Sequence, residues 1–149
     1  ADHLFGLINL PRSIEIEECE QAIRLGLRAF RNVLLEHEAA LELFASRSIR
    51  SENSVQVLHW AHERFVGVGL SVEEAHKALH MAVSFVMGHA ANEGETAPAS
   101  LADSESDNDN VSPEMADYFR QIESVTSDQL FDAGLDLVVA GLRQHYRLP

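Results

Sequence analysis

Cysteine and basic residues are both scarce in this sequence. Of its 149 residues only Cys19 is a cysteine, so the chain forms no internal disulfide, which is typical of a cytoplasmic protein. Lysine and arginine number 11 against 24 acidic residues, a formal net charge of −13. A domain of that sign repels phosphate backbones, so we do not expect this chain to bind DNA or RNA by itself. No apolar run approaches the roughly 20 residues that a membrane span requires, so we predict no membrane partner.

Catalytic motifs are also missing. The sequence has no nucleophile elbow, phosphate-binding loop, zincin motif or dinucleotide fingerprint. We therefore predict that the chain is not an enzyme and uses no cofactor. Two histidine pairs, His59 with His62 and His76 with His80, have the spacing of metal ligands on a helix. A structural zinc site usually requires four converging ligands, often including cysteine, so we predict no metal and interpret these histidines as polar pocket or surface groups.

The stretch from Ser71 to Ala91 is predicted to be the central helix. Ser71 and Glu74 form a capping box at its start. A helical face follows at steps of three or four, made of Val72, Ala75, Leu79, Ala82 and Val86. Between residues 81 and 87 only Ser84 is polar. A helix that is apolar all round must be covered on every side, so we expect a core helix or one shared with a second subunit.

Further helices are predicted on both sides of this one. The apolar spacing indicates helices over residues 13–37, 39–44, 51–66, 113–122 and 126–146, the last beginning with a capping box of Thr126 and Gln129. Residues 92–112 hold six acidic residues and no base, which predicts a long, mobile, solvated loop. Strand-period alternation is missing, so the predicted class is all-α, an antiparallel helical bundle of about six to seven helices.

Two glycines lie seven residues apart on one face of the last helix. Gly134 and Gly141 share this face with Phe131, Val138 and other residues. Glycine permits another backbone to approach closely, so the face predicts a helix–helix contact.

Two segments give the chain a family resemblance. One is GLSVEEA at residues 69–75, continuing through Ala78-Leu79 to Phe85 and Gly88 and followed by the acidic loop. The other begins at Phe131 and continues with GLDLVV at residues 134–139 and Gly141-Leu142. In this order, the segments resemble the C-terminal effector-binding and dimerisation domain of the tetracycline-repressor (TetR) family of transcriptional regulators.

The resemblance implies an organisation for the chain. Residues 1–12 would be the end of a helix connecting to an absent N-terminal helix-turn-helix domain, and residues 13–149 the ligand-binding and dimerisation domain. Operator DNA would be contacted only through the missing domain. Binding of a small molecule would release the DNA-binding heads from the operator. The helices 71–91 and 126–146 would form a four-helix bundle with a second copy. The predicted dimer-interface residues are Phe131, Gly134, Leu137, Val138, Gly141, Leu142 and His145.

The resemblance also implies a ligand pocket between the helices. Its predicted lining residues are Gly26, Phe30, Phe44, Arg47, Leu58, Ala61, His76, Leu79 and His80. Phe44 and Asn92 occupy the positions of the magnesium ligands of the family's archetype, and neither is a good magnesium ligand. We therefore expect a small, largely hydrophobic effector bound without metal. The alternative is a free-standing helical bundle that binds a metal or another protein. The residues preceding Ala1 would discriminate between the two.

Overall fold

A computed structural model describes residues 19–37, 52–94 and 112–148 of the chain. These ranges contain five helices: α1 (Cys19–Glu36), α2 (Glu52–Gly67), α3 (Val72–Gly94), α4 (Pro113–Glu123) and α5 (Ser127–Tyr146). They contain no strand, and the predicted all-α class is confirmed. The count of five within these ranges is below the six to seven predicted. The helix expected at residues 39–44, the connecting segment at 1–12 and most of the acidic loop lie outside the described residues.

The central position of α3 is confirmed, because this helix contacts α1, α2 and α5. Its buried residues lie along one side of the helix and are Ala75, Ala78, Leu79, Ala82, Val86 and Ala90. Alanine at four of these six positions lets the neighbouring helices approach closely. Val72 and Met81 are exposed, so α3 is not covered on every side within a single chain. Coverage of these residues by a second copy stays a prediction.

Both predicted capping boxes are present. The backbone N–H of Ser71 donates to Oε2 of Glu74 at 2.8 Å, and the N–H of Glu74 donates to Oγ of Ser71 at 3.2 Å. Thr126 and Gln129 exchange the equivalent bonds at 2.8 and 3.2 Å. Each box satisfies N–H groups that the first turn of a helix leaves without partners, so the starts of α3 and α5 are fixed by four residues each.

The turn between α2 and α3 is a Schellman motif. The N–H of Leu70 donates to the carbonyl of Phe65, and the N–H of Gly69 donates to that of Val66. Gly69 has φ +106°, a conformation that glycine adopts without steric cost. Leu70 and Phe65 are buried in the same cluster, which is the apolar contact that accompanies this motif. The turn therefore folds α2 back against α3.

The far end of α3 differs from the prediction. The helix continues to Gly94, three residues beyond the predicted end at Ala91. Asn92 and Glu93 therefore lie in its last turn and are not loop residues. The composition of 92–112 suggested a loop because it is acidic, but Glu93 has a cationic partner on another helix that composition does not reveal.

Buried side chains form two clusters. The α1/α3/α5 core joins these three helices and consists of Leu27, Phe30, Val33, Leu34, Ala82, Val86, Ala90, Phe131, Leu135 and Val139. The α2/α3 core lies around the turn and consists of Phe65, Leu70, Ala75, Ala78 and Leu79. Ile23 and Val83 pack against both, so the two cores adjoin along α3.

Three arginines of α1 pair with three aspartates of α5. The pairs are Arg24–Asp136, Arg28–Asp132 and Arg31–Asp128, with N–O distances of 2.6, 2.7 and 2.8 Å. Residue numbers rise along α1 while they fall along α5, so the two helices are antiparallel. The aspartate of each pair is exposed, and ion pairs with such a solvated partner contribute about 1 kcal/mol or less each. The arginine ladder, as we call these three pairs, therefore fixes the register of α1 against α5 more than it stabilises the fold.

Helix α4 has the predicted start but no buried residue. Ser112 is its N-cap and accepts from the N–H of Met115 at 3.3 Å, and Pro113 is its first residue. Its larger apolar residues Met115, Tyr118 and Ile122 are exposed. None of the described helices combines the length and apolar character that crossing a bilayer requires.

Candidate ligand-binding site

Apolar side chains of α2 and α3 meet beside the α2/α3 core. Leu58 and Ala61 are one turn apart on α2, and both are half-buried against this core. Leu79 of α3 is a buried member of it. The structure thus brings three of the predicted pocket residues to one apolar wall.

The predicted residues of α1 lie at the neighbouring core. Phe30 is buried in the α1/α3/α5 core, and Gly26, one turn earlier, is half-buried. Ile23 packs against both cores and so connects this part of α1 to the wall formed by α2 and α3. Phe44 and Arg47 lie outside the described residues.

His76 and His80, the two predicted pocket histidines of α3, are both exposed to solvent. They differ in their neighbours. The ring of His76 lies against the ring of His62 on α2, with 5.7 Å between the ring centroids and 32° between the planes. His80 makes no such ring contact within the described ranges. Of the two, His76 is therefore the one joined to the apolar wall.

His62 is a candidate site residue that was interpreted above as a polar pocket or surface group but is missing from the predicted pocket lining. It follows Ala61 directly, and its Nε2 atom is shielded from solvent without a hydrogen-bond partner in the described part of the chain. Burial lowers the pKa of His62, and the charges of His76 and His59 lower it further. The imidazole is therefore neutral near pH 7. His62 follows Leu58 by four residues and precedes Phe65 by three, which puts it on the apolar face of α2. The 3.6-residue period does not show whether a polar atom on that face finds a partner.

No metal centre is found where the structure gives positions. Within residues 19–37, 52–94 and 112–148, no three His, Cys, Asp or Glu side chains are grouped so as to hold a metal ion. Asn92, at one position of the archetypal magnesium ligands, is exposed in the last turn of α3.

Arg31 is the centre of a buried ionic cluster at the opposite end of α3. Its Nε and Nη2 donate to the two carboxylate oxygens of Glu93 at 3.0 and 2.7 Å, and its guanidinium lies 4.7 Å from the ring centroid of Phe131. Burial alone would raise the pKa of Glu93, but hydrogen bonds from Arg31 and Ser127 outweigh it, so the pKa lies below its ordinary value. Nδ1 of His89 is 3.2 Å from Glu93. The cluster joins α1, the end of α3 and the start of α5.

The seven predicted interface residues have different surroundings in the chain. Phe131 is 1% exposed and stacks on Phe85 of α3 with ring centroids 5.5 Å apart. Val138 and Leu142 are half-buried against the cores of their own chain. Leu137, Gly141 and His145 are exposed.

Gly134 and Gly141, the two glycines of the predicted helix–helix contact, also differ in their surroundings. A Cβ on Gly134 would lie 2.5 Å from Cε2 of Phe85, whereas a Cβ on Gly141 would meet nothing within 4 Å. Gly134 therefore serves the packing of α5 on α3 within the chain. Leu137, Gly141 and His145 are the members of the set that are exposed in a single copy, and their role between copies stays a prediction.

Comparison with known proteins defines the class. The family model for the tetracyclin repressor-like C-terminal domain matches residues 19–146. The chain therefore belongs to this family, and it is a ligand-sensing regulatory domain of the TetR type. No sequence among curated proteins matches it.

Solved structures of the TetR family protein ActR from Streptomyces coelicolor have a similar fold. The complex of ActR with actinorhodin has a TM-score of 0.75 at 19% sequence identity, and the complex with (S)-DNPA has 0.74 at 20%. Apo ActR has 0.71 at 19%. Each comparison covers 95% of this chain and 70% of the ActR chain.

Proposed function

We propose that this chain binds a small, largely hydrophobic effector between α1, α2 and α3 and acts as a homodimer. The observation that supports the pocket is the apolar wall of Leu58, Ala61 and Leu79, with neutral His62 at its edge. Such a composition, apolar with few polar groups, suits a small organic molecule. The ActR complexes have ligands bound to the same fold.

Effector binding would act on DNA indirectly. With a net charge of −13, this domain repels a phosphate backbone, so operator contact would belong to an N-terminal helix-turn-helix domain outside this sequence. A ligand that prefers one arrangement of the helices shifts the population toward it and so changes the spacing of two DNA-binding heads. A regulator that acts on DNA in this way would work in the cytoplasm and would require no catalytic step.

Exposed apolar residues support the homodimer. Met81 on α3 and Leu130 and Leu137 on α5 are large hydrophobic residues left exposed on adjacent antiparallel helices. A second copy that contributed the same two helices would complete a four-helix bundle and cover them.

A thermal-shift screen with a matched pair of tryptophan variants tests the pocket. A ligand that binds only the native state raises its stability. Leu58→Trp should fill the space at the apolar wall and abolish the shift caused by any ligand found for the wild type. Val55→Trp is the control, because Val55 lies one turn earlier on α2 and is exposed.

Two results of this screen would contradict the proposal. One is a ligand whose thermal shift survives Leu58→Trp in a protein that remains folded by circular dichroism. The other is a shift that a chelator abolishes, since this pocket is proposed to bind its ligand without metal.

A further inference from the structure

The apolar wall contains one polar atom whose bonding capacity is unused. Nε2 of His62 has neither solvent contact nor a hydrogen-bond partner in the described part of the chain. A buried polar atom without a partner is destabilising, and native structures rarely leave one without a reason. A ligand that supplied the missing bond would gain affinity from it.

The surroundings of this atom restrict what can bind there. Leu58 and Ala61 flank His62 on α2 and are half-buried in apolar packing, and the ring of His76 covers one side at 5.7 Å between centroids. A group that reaches Nε2 must leave water and lie among apolar side chains. A charged group would lose its hydration there, and its described neighbours Leu58, Ala61 and His76 offer it no opposite charge.

We propose that His62 selects effectors with a neutral hydroxyl group on a hydrophobic ring system, because its shielded Nε2 is the free hydrogen-bonding atom of the apolar wall. The inference rests on the proposed pocket and adds the chemistry of its ligand. A neutral imidazole has one nitrogen that donates and one that accepts. A hydroxyl both donates and accepts, so it satisfies Nε2 in either tautomer. Burial keeps the pKa of His62 low, which maintains the neutral form that this bond requires.

Carboxylate ligands are disfavoured by the same features. The imidazole offers no positive charge, and the whole chain carries −13, which repels anions. A hydrocarbon without a polar group would bind to the wall but would leave Nε2 unpaired, and a site with a buried polar group discriminates against such ligands.

The experiment compares 2-naphthol with 2-methylnaphthalene, two fluorescent probes of similar shape that differ in the hydroxyl group. Fluorescence titration of the purified chain should give a Kd for 2-naphthol about tenfold lower than for 2-methylnaphthalene. In His62→Phe, which keeps a ring against His76 but removes both nitrogens, the two Kd values should become equal. The affinity for 2-methylnaphthalene should stay at the wild-type level, showing that the wall is intact.

Two further variants separate hydrogen bonding from other effects. His62→Gln keeps a polar group near the position of Nε2 and should retain part of the preference for 2-naphthol. His59→Phe changes an exposed histidine one turn earlier on α2, whose side chain is 71% exposed, and should leave the preference unchanged.

The possible failures are distinguishable. A tenfold preference that persists in His62→Phe overturns the assignment to His62 while leaving the pocket in place. An equal loss of both probes in a folded His62→Phe variant shows a packing role and also overturns it. If neither probe binds to the wild type, the apolar pocket itself is refuted, and the proposed function fails together with the role of His62.

Discussion

Glu93→Gln should destabilise the chain far more than Asp128→Asn, although both remove one carboxylate from the same arginine. The Arg31 side chain is 10% exposed and that of Glu93 is 18% exposed, whereas Asp128 is 81% exposed. Removing one member of a buried ion pair leaves the other charge poorly compensated, and such losses reach about 3–5 kcal/mol when burial is complete. In Glu93→Gln, Arg31 still has the exposed Asp128 as a partner, so the loss should be smaller than this. Glutamine keeps one oxygen that accepts a hydrogen bond, so we expect about 2 kcal/mol for Glu93→Gln. For the solvated Asp128 we expect less than about 1 kcal/mol.

Urea unfolding at neutral pH and a fixed chain concentration measures both variants. The midpoint should shift while the slope m stays constant, because neither change alters the surface exposed on unfolding. The double variant with Arg31→Met tests coupling. Once Arg31 is gone, Glu93→Gln should cost little, because its partner is already lost.

Acid titration provides a second readout of the same pair. The pKa of Glu93 lies below its ordinary value of 4.5 because Arg31 and Ser127 outweigh the effect of burial. Because the pKa of Glu93 is lower in the folded chain than in the unfolded chain, its stabilisation is present above pH 4.5 and is lost as the pH falls through the folded-state pKa. The Glu93→Gln variant should not show this acid-dependent loss of stability. Equal costs for Glu93→Gln and Asp128→Asn, or a cost below about 0.5 kcal/mol for Glu93→Gln, would refute the reasoning.

Three further predictions concern other parts of the structure. Because burial lowers the pKa of His62 in the folded chain, the unfolded chain binds more protons in mild acid. Stability should therefore fall as the pH drops below 6.5. Urea titrations at several pH values should show that His62→Phe flattens this dependence. Gly134→Ala should destabilise the chain by about 1–3 kcal/mol, because the new Cβ meets the stacked ring of Phe85. Gly141→Ala should be neutral or should stabilise the chain by up to about 1 kcal/mol. Equal urea midpoints for the two variants would contradict this difference. Leu137→Glu should shift the chain from dimer to monomer in light scattering over a concentration series, while Asp136→Asn should not; a wild-type monomer at all concentrations would exclude the dimer.

The sequence was sufficient for the features that depend on neighbouring residues. The capping box of Ser71 and Glu74 and the glycine at position 69 are read within a few residues, and each has its predicted geometry. The buried face of α3 follows from the 3.6-residue period at Ala75, Leu79, Ala82 and Val86, whereas Val72, predicted on the same face, is exposed. The all-α class and the family followed from these elements and their order.

Features that depend on partners distant in sequence were not predictable in this way. Glu93 and Arg31 are 62 residues apart, so an acidic stretch gave no sign that one of its members lies in the last turn of a helix and joins it to α1 and α5. Gly134 and Gly141 share a face by periodicity, yet one packs on Phe85 and the other has free space. A helical period identifies a face but not the neighbour that covers it. For the same reason His62 was not included in the predicted pocket lining.

The arginine ladder has a consequence for how the chain folds during synthesis. Its partners lie 104 and 112 residues apart for Arg28–Asp132 and Arg24–Asp136, whereas the α2–α3 turn closes within six residues. Short loops close at lower entropic cost than long ones, so the hairpin of α2 and α3 should form while α5 is still unsynthesised. At a translation rate of about 5–20 residues per second, α1 waits for roughly 5–20 s before α5 covers it. During that interval α2 and α3 are the described contact partners of α1 that have already been synthesised. The excess of acidic residues helps to keep nascent chains apart.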